Sequence, residues 1–77
     1  MELIIKEDGD KTIVALVAAP HKRITVNMSV NEFYKCYHKW QRGEYIQKAF
    51  NILSADEREF MISGTTPDEW NKLFPQN

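Results

Sequence analysis

Cys36 and His38 come closest to a nucleophile beside a base, and they stand two residues apart. Nucleophilic catalysis needs the base within hydrogen-bond reach of the nucleophile and a third group to orient it. On a helix, which the surrounding pattern predicts, side chains two apart point to different faces. His21, the other histidine, could meet Cys36 only through the tertiary fold. These residues read as a half-buried thiol and an exposed imidazole. Structural zinc needs four ligands, usually in paired Cys/His spacings, and one Cys with two His is too few. Glu7, Asp8 and Asp10 surround Gly9 but lack the twelve-residue ligand pattern of a calcium loop. Asp56-Glu57, Glu59 and Asp68-Glu69 fall in the first turns of predicted helices, where the helix dipole favours acids. Gly9, Gly43 and Gly64 each suit a turn or a helix stop, and they form no phosphate loop or dinucleotide fingerprint. The reading is of no catalytic residue, no metal ligand set and no cofactor, hence of a protein that is not an enzyme.

The basic residues offer a different chemistry. Lys35, His38, Lys39 and Arg42 share the polar side of one predicted helix, and His21-Lys22-Arg23 lies upstream. Together they could form one basic surface, with Tyr34 beside it to stack on a base. The charge distribution is uneven: residues 20–53 hold six Lys/Arg against two acids, and residues 54–77 hold five acids against two bases. The net charge of −1 weighs against nucleic acid, whose binding domains are usually strongly basic. An ordinary solvated helix face is the plainer reading; if the face is functional it works by charge, with a protein as the favoured partner and nucleic acid or a nucleotide as the alternative. The candidate partner-binding set is Lys35, His38, Lys39, Arg42, Lys22 and Arg23.

A chain of 77 residues has room for one thin core. Nine aromatics among them argue for a folded domain, since aromatics bury the most area per residue. A single cysteine excludes an intrachain disulfide. The start Met1-Glu2-Leu3 lacks the basic flank and apolar run of a signal peptide. The longest apolar stretch, residues 13–19, is far short of the ~20 residues that cross a bilayer. The expected location is the cytoplasm, with no membrane partner.

Positioning these groups requires an α+β fold: a three-stranded antiparallel β-meander followed by one long and three short α-helices. It is read as one domain over residues 1–77, with the meander at 1–28, the helical part at 29–74 and a frayed tail at 75–77. Residues 2–7 and 11–18 are β-rich and flank Asp8-Gly9-Asp10, a hairpin signal. Residues 23–28 alternate polar and apolar. Ser29-x-x-Glu32, Ser54-x-x-Glu57 and Thr66-x-x-Glu69 read as three capping boxes. They start helices ending near Arg42, Ser63 and Phe74, and a short helix at 44–50 lies between the first two. Val30, Phe33, Tyr37 and Trp40 make the inward face of the long helix. Ile46, Ala49, Phe50, Phe60, Met61, Ile62, Trp70, Leu73 and Phe74 are the inward residues of the others.

Two-residue turns at Asp8-Gly9 and Pro20-His21 would set Ile4 opposite Ile13 and Val17 opposite Ile24. One face then carries Ile4, Ile13, Ala15, Val17, Ile24, Val26 and Met28. An odd-length loop would exchange these assignments, because a one-residue slip flips every side chain. Four helices cover one face of so small a sheet. With this register Leu3, Ile5, Val14 and Leu16 form an apolar patch on the uncovered side, which predicts self-association as a homodimer. Edge-strand pairing through residues 2–6 or 23–28 is the other route.

The second half also carries a longer string: Trp40, Gly43, Ile46-Gln47, Ala49-Phe50, Leu53-Ser54, Asp56 to Phe60, Ser63-Gly64, Thr66-Pro67 and Glu69-Trp70. It resembles a group of small bacteriophage and prophage proteins, over residues 40–74 and not over 1–39. Its elements are caps, glycine stops and apolar anchors, so the resemblance implies a fold and a context, not catalytic residues. It implies an accessory phage protein acting inside an infected bacterium; the expected function is non-enzymatic binding that modulates or inhibits a larger host protein, such as a defence system, in the cytoplasm. A phage protein as the partner, or a structural role in virion assembly, is the remaining alternative.

Overall fold

The computed structural model describes residues 1–75; Gln76 and Asn77 of the expected frayed tail lie outside the described residues. The chain forms β1 (Leu3–Asp8), β2 (Lys11–Leu16), β3 (Arg23–Val26), α1 (Val30–Gln41), α2 (Ile46–Ala49), α3 (Ala55–Ser63) and α4 (Pro67–Leu73). The fold is α+β, an antiparallel sheet of order β1-β2-β3 followed by one long and three short helices. No helix among the described residues is long and apolar enough to cross a membrane.

Both expected turns shift. The first hairpin turns at Gly9-Asp10, because Asp8 pairs with Lys11. Gly9 has φ +62° and no non-glycine residue has positive φ, which is the φ order of a type II′ turn. A turn at Asp8-Gly9 of type I′ would have needed positive φ at Asp8 as well. Ile4 therefore faces Ala15, two places from the expected partner, and the even slip leaves its face unchanged.

The second connection changes the face. Val14 pairs with Ile24 and Thr12 with Val26. Leu16 N–H donates to Lys22 O at 3.1 Å, so five residues, 17–21, make the loop. This odd loop rotates β3 by one face relative to the expected register. Ile24, Val26 and Met28 thus join Leu3, Ile5, Val14 and Leu16 beneath the helices. The expected self-association patch of Leu3, Ile5, Val14 and Leu16 is corrected: it faces the helical layer. Val14 is 0% exposed, and Leu3, Ile5 and Leu16 pack against the core while remaining partly open. The uncovered face carries Ile4, Ile13, Ala15 and Val17 among Lys6, Lys11 and Arg23.

The core gathers Phe33, Phe50 and Phe60, all fully buried, with Phe33 and Phe50 at a ring distance of 5.4 Å. Each such side chain contributes about 1.5–3 kcal/mol by burial. Thr12 is buried among them, and its hydroxyl donates to the Met28 carbonyl at 2.8 Å. That bond ties β2 to the residue just before the α1 cap.

Ser54 and Thr66 close full capping boxes on α3 and α4. In the second, Thr66 N–H donates to Glu69 Oε1 at 3.0 Å and Glu69 N–H to Thr66 Oγ1 at 3.2 Å. Ser29 accepts from Glu32 N–H at 3.2 Å without a return bond from the Glu32 carboxylate, so the first box is only half formed. Gly64 ends α3 with φ +81°, and a Cβ there would lie 3.1 Å from Leu16 Cδ1. The inward assignments of α3 and α4 are trimmed. Phe60 and Met61 are buried, but Ile62 is exposed, Trp70 is half-buried, and Leu73 and Phe74 are exposed. Trp70 packs instead on Phe74, at 4.6 Å between rings. No residue of this seven-residue helix is buried.

Candidate functional site

The outer face of α1 is the most distinct charged surface that local structure builds. Ser29 and Gly43 bracket the helix, and Gly43 leaves it with φ +104°. Phe33 is buried, and Val30, Cys36, Tyr37 and Trp40 are half-buried on the same side. At 100° per residue, Lys35, His38, Lys39 and Arg42 must then point outward, and all four are exposed. Among the described residues the one ion pair is Lys22–Glu69, so Lys35, Lys39 and Arg42 remain available to an outside anion. Tyr34 adds an exposed ring at the border of this face, with its centroid 6.4 Å from that of His38.

The structure divides the expected basic set. α1 lies against β1 and β2, while α3 lies against β3. Lys22 and Arg23 stand at the start of β3, around a cleft shared with Glu57 and residues Thr66 to Glu69. Lys22 Nζ sits 3.1 Å from Glu69 Oε2, so its charge is already partnered. The Glu69 carboxyl is held below its ordinary value, first by the Thr66 backbone N–H and then by Lys22. A carboxylate fixed by its own helix cap and by one lysine is a structural group, and this cleft carries both signs of charge. Of the six residues in the expected partner-binding set, Lys35, His38, Lys39 and Arg42 share one surface, and Lys22 and Arg23 belong to another.

Cys36 faces the core seam, His38 faces outward, and His21 lines the cleft beside α4. Among the described residues no three His, Cys, Asp or Glu side chains come together to hold a metal ion.

A second feature escaped the sequence reading. Between β1 and α1 lies a groove of about 340 Å³ lined by Leu3, Ile5, Phe33, Tyr34 and Tyr37. The spacing of Tyr34 and Tyr37 placed both near the border of the α1 seam. Only the correct strand register puts Leu3 and Ile5 opposite them.

The chain matches no known protein family, no curated protein and no solved structure.

Proposed function

We propose that this protein works by binding, and that the outer face of α1 takes an acidic surface on a larger protein partner. The observation that carries this reading is the exposed stripe of Lys35, His38, Lys39 and Arg42, beside an exposed Tyr34. A rigid helix presenting several cations with one aromatic ring is suited to a carboxylate-rich surface, where complementary charge speeds encounter and sets orientation. The resemblance of residues 40–74 to small phage proteins favours a host protein as that partner, modulated or inhibited by being bound. Nucleic acid is the second reading, because Tyr34 beside the cations supplies a stacking ring.

The test replaces Lys35, Lys39 and Arg42 together by Glu. Exposed changes of this kind usually cost within ~0.5 kcal/mol, so the variant should fold. Wild-type protein immobilised in a bacterial lysate should retain a partner, identified by mass spectrometry, that the triple variant loses. Equal retention by both proteins would overturn the reading. Heparin retention falling steeply with salt would move the assignment to nucleic acid.

A further inference from the structure

We infer that the free edge of β1 is an interface between two copies of this chain, paired antiparallel about Ile4. Val17 N–H donates to Glu2 O at 3.1 Å. Bonded pairs alternate along an antiparallel ladder, so Ile4 and Lys6 also turn their N–H and C=O groups toward β2. Leu3, Ile5 and Glu7 turn theirs outward, along an edge that no strand covers. Unpaired edges of this kind are templates for another strand.

Packing at the same edge is unfinished. Val14 and Ile24, inward on the other strands, are closed at 0% and 6% exposed, while Leu16 at the end of β2 is half-buried. Leu3 and Ile5 point the same way but stay half-open, on the groove they share with Tyr34 and Tyr37. An added strand would supply both the missing hydrogen bonds and the missing cover.

Charge selects the occupant and its register. Two copies of β1 related by a two-fold axis through the sheet must oppose outward residues, which leaves few alignments. Centred on Ile5, Glu2 of each copy meets Asp8 of the other. Centred on Lys6, the two lysines meet. Centred on Glu7, Lys6 of each copy meets Asp8 of the other, but two glutamates meet on the axis, and Ile5 and Ile4 fall opposite Gly9 and Asp10, so no apolar pair forms. Centred on Leu3, Glu2 of each copy faces Ile4 of the other, and no charges pair. Centred on Ile4, Glu2 of each copy meets Lys6 of the other, twice over by symmetry. The same alignment puts Ile4 beside Ile4 on the open face and Leu3 beside Ile5 in the groove. A strand reading E-L-I-I-K is therefore complementary to itself in this one alignment, in both charge and hydrophobicity. The product is a continuous six-stranded sheet with the two α1 helices flanking the axis on one side. Their charged stripe of Lys35, Lys39 and Arg42 points away from the sheet.

The experiment measures mass by light scattering from low micromolar to millimolar concentration, with circular dichroism as the folding control. Wild-type protein should approach the mass of two chains of 9.0 kDa each, and the Leu3 and Ile5 amides should become protected from hydrogen exchange as it does. Lys6→Glu should weaken association at least about tenfold, because it sets like charges opposite each other twice. Glu2→Lys should do the same. Mixing the two variants should restore dimers, since each then supplies the charge the other lacks, and the double swap Glu2→Lys/Lys6→Glu should restore them within one chain. A wild-type mass of one chain at every concentration overturns the inference and leaves the edge to a strand from another protein. A dimer indifferent to Lys6→Glu overturns it too, by placing the interface elsewhere. Loss without recovery on mixing overturns the Ile4-centred register.

Discussion

The two edges of the sheet differ in how far they are finished. At β3 the inward residues Ile24 and Val26 are buried, α3 packs against the strand, and the capped start of α4 sends Glu69 to Lys22. At β1 the inward residues Leu3 and Ile5 remain half-open, with α1 over them on one side only. The chain order accounts for this. α1 crosses back over β2 and β1 and α3 returns to β3, and among the described residues no further strand pairs with the outside of β1. A helical layer of this size closes one edge and leaves the other. The closed edge has its inward side chains buried, and the open edge is the one we assign to a second copy.

The sharpest way to break this contrast is in the aromatic anchors. Phe60→Ala, in the helix under β3, should cost about 3–5 kcal/mol, a large share of the stability of so small a domain. Tyr34→Ala, at the open groove, should stay within about 0.5 kcal/mol in the monomer. Urea denaturation measures both, and similar losses would erase the contrast. Inward isoleucines give the next test. Ile24→Ala should cost about 2–4 kcal/mol, and Ile5→Ala about half of that, because its side chain is already half-exposed. If Ile5 proves the costlier, β1 is covered in solution.

Thr12→Val is smaller and concerns the join between strand and helix. It keeps the shape but removes the hydroxyl that serves the Met28 carbonyl, at about 1–2 kcal/mol. A variant as stable as the wild type would show that the bond carries nothing. Thr66→Ala, at the closed edge, should cost about 1 kcal/mol through loss of the α4 cap, read as a lower melting temperature.

The smallest effect is one of pH. Glu69 has a carboxyl pKa lowered from 4.5 by Thr66 first and by Lys22 next. A group with a depressed folded pKa contributes stability above its unfolded value, and that stability is lost as pH falls through the folded one. Acidification below pH 4.5 should therefore weaken the wild type more than Lys22→Ala. Parallel acid titrations of the two proteins would show that Lys22 does not tie β3 to α4.

Much of the helical half was legible because its signals are local. Ser54, Thr66 and Gly64 act on backbone groups within four residues of themselves, so their types and spacing place the helix ends. The basic face of α1 was legible for the same reason, since helical periodicity alone sets which side chains share a side. Its separation from Lys22 and Arg23 was not, because that depends on where α1 and α3 land on the sheet. Ser29 shows the limit of local reading: the box pattern is present, yet Glu32 does not complete it.

What the residue order determined by itself is the set of elements, the starts of the three capped helices and the first hairpin's faces. What the tertiary structure decided is which side of the sheet is covered. β2 is apolar on both faces, so its own residues carry no instruction about which one to bury. The choice passes to the connection at residues 17–21, whose odd length swings Ile24 and Val26 to the side of Val14. One residue of loop length outweighs the pattern of a whole strand, because side chains alternate with a period of two and a single step reverses them all.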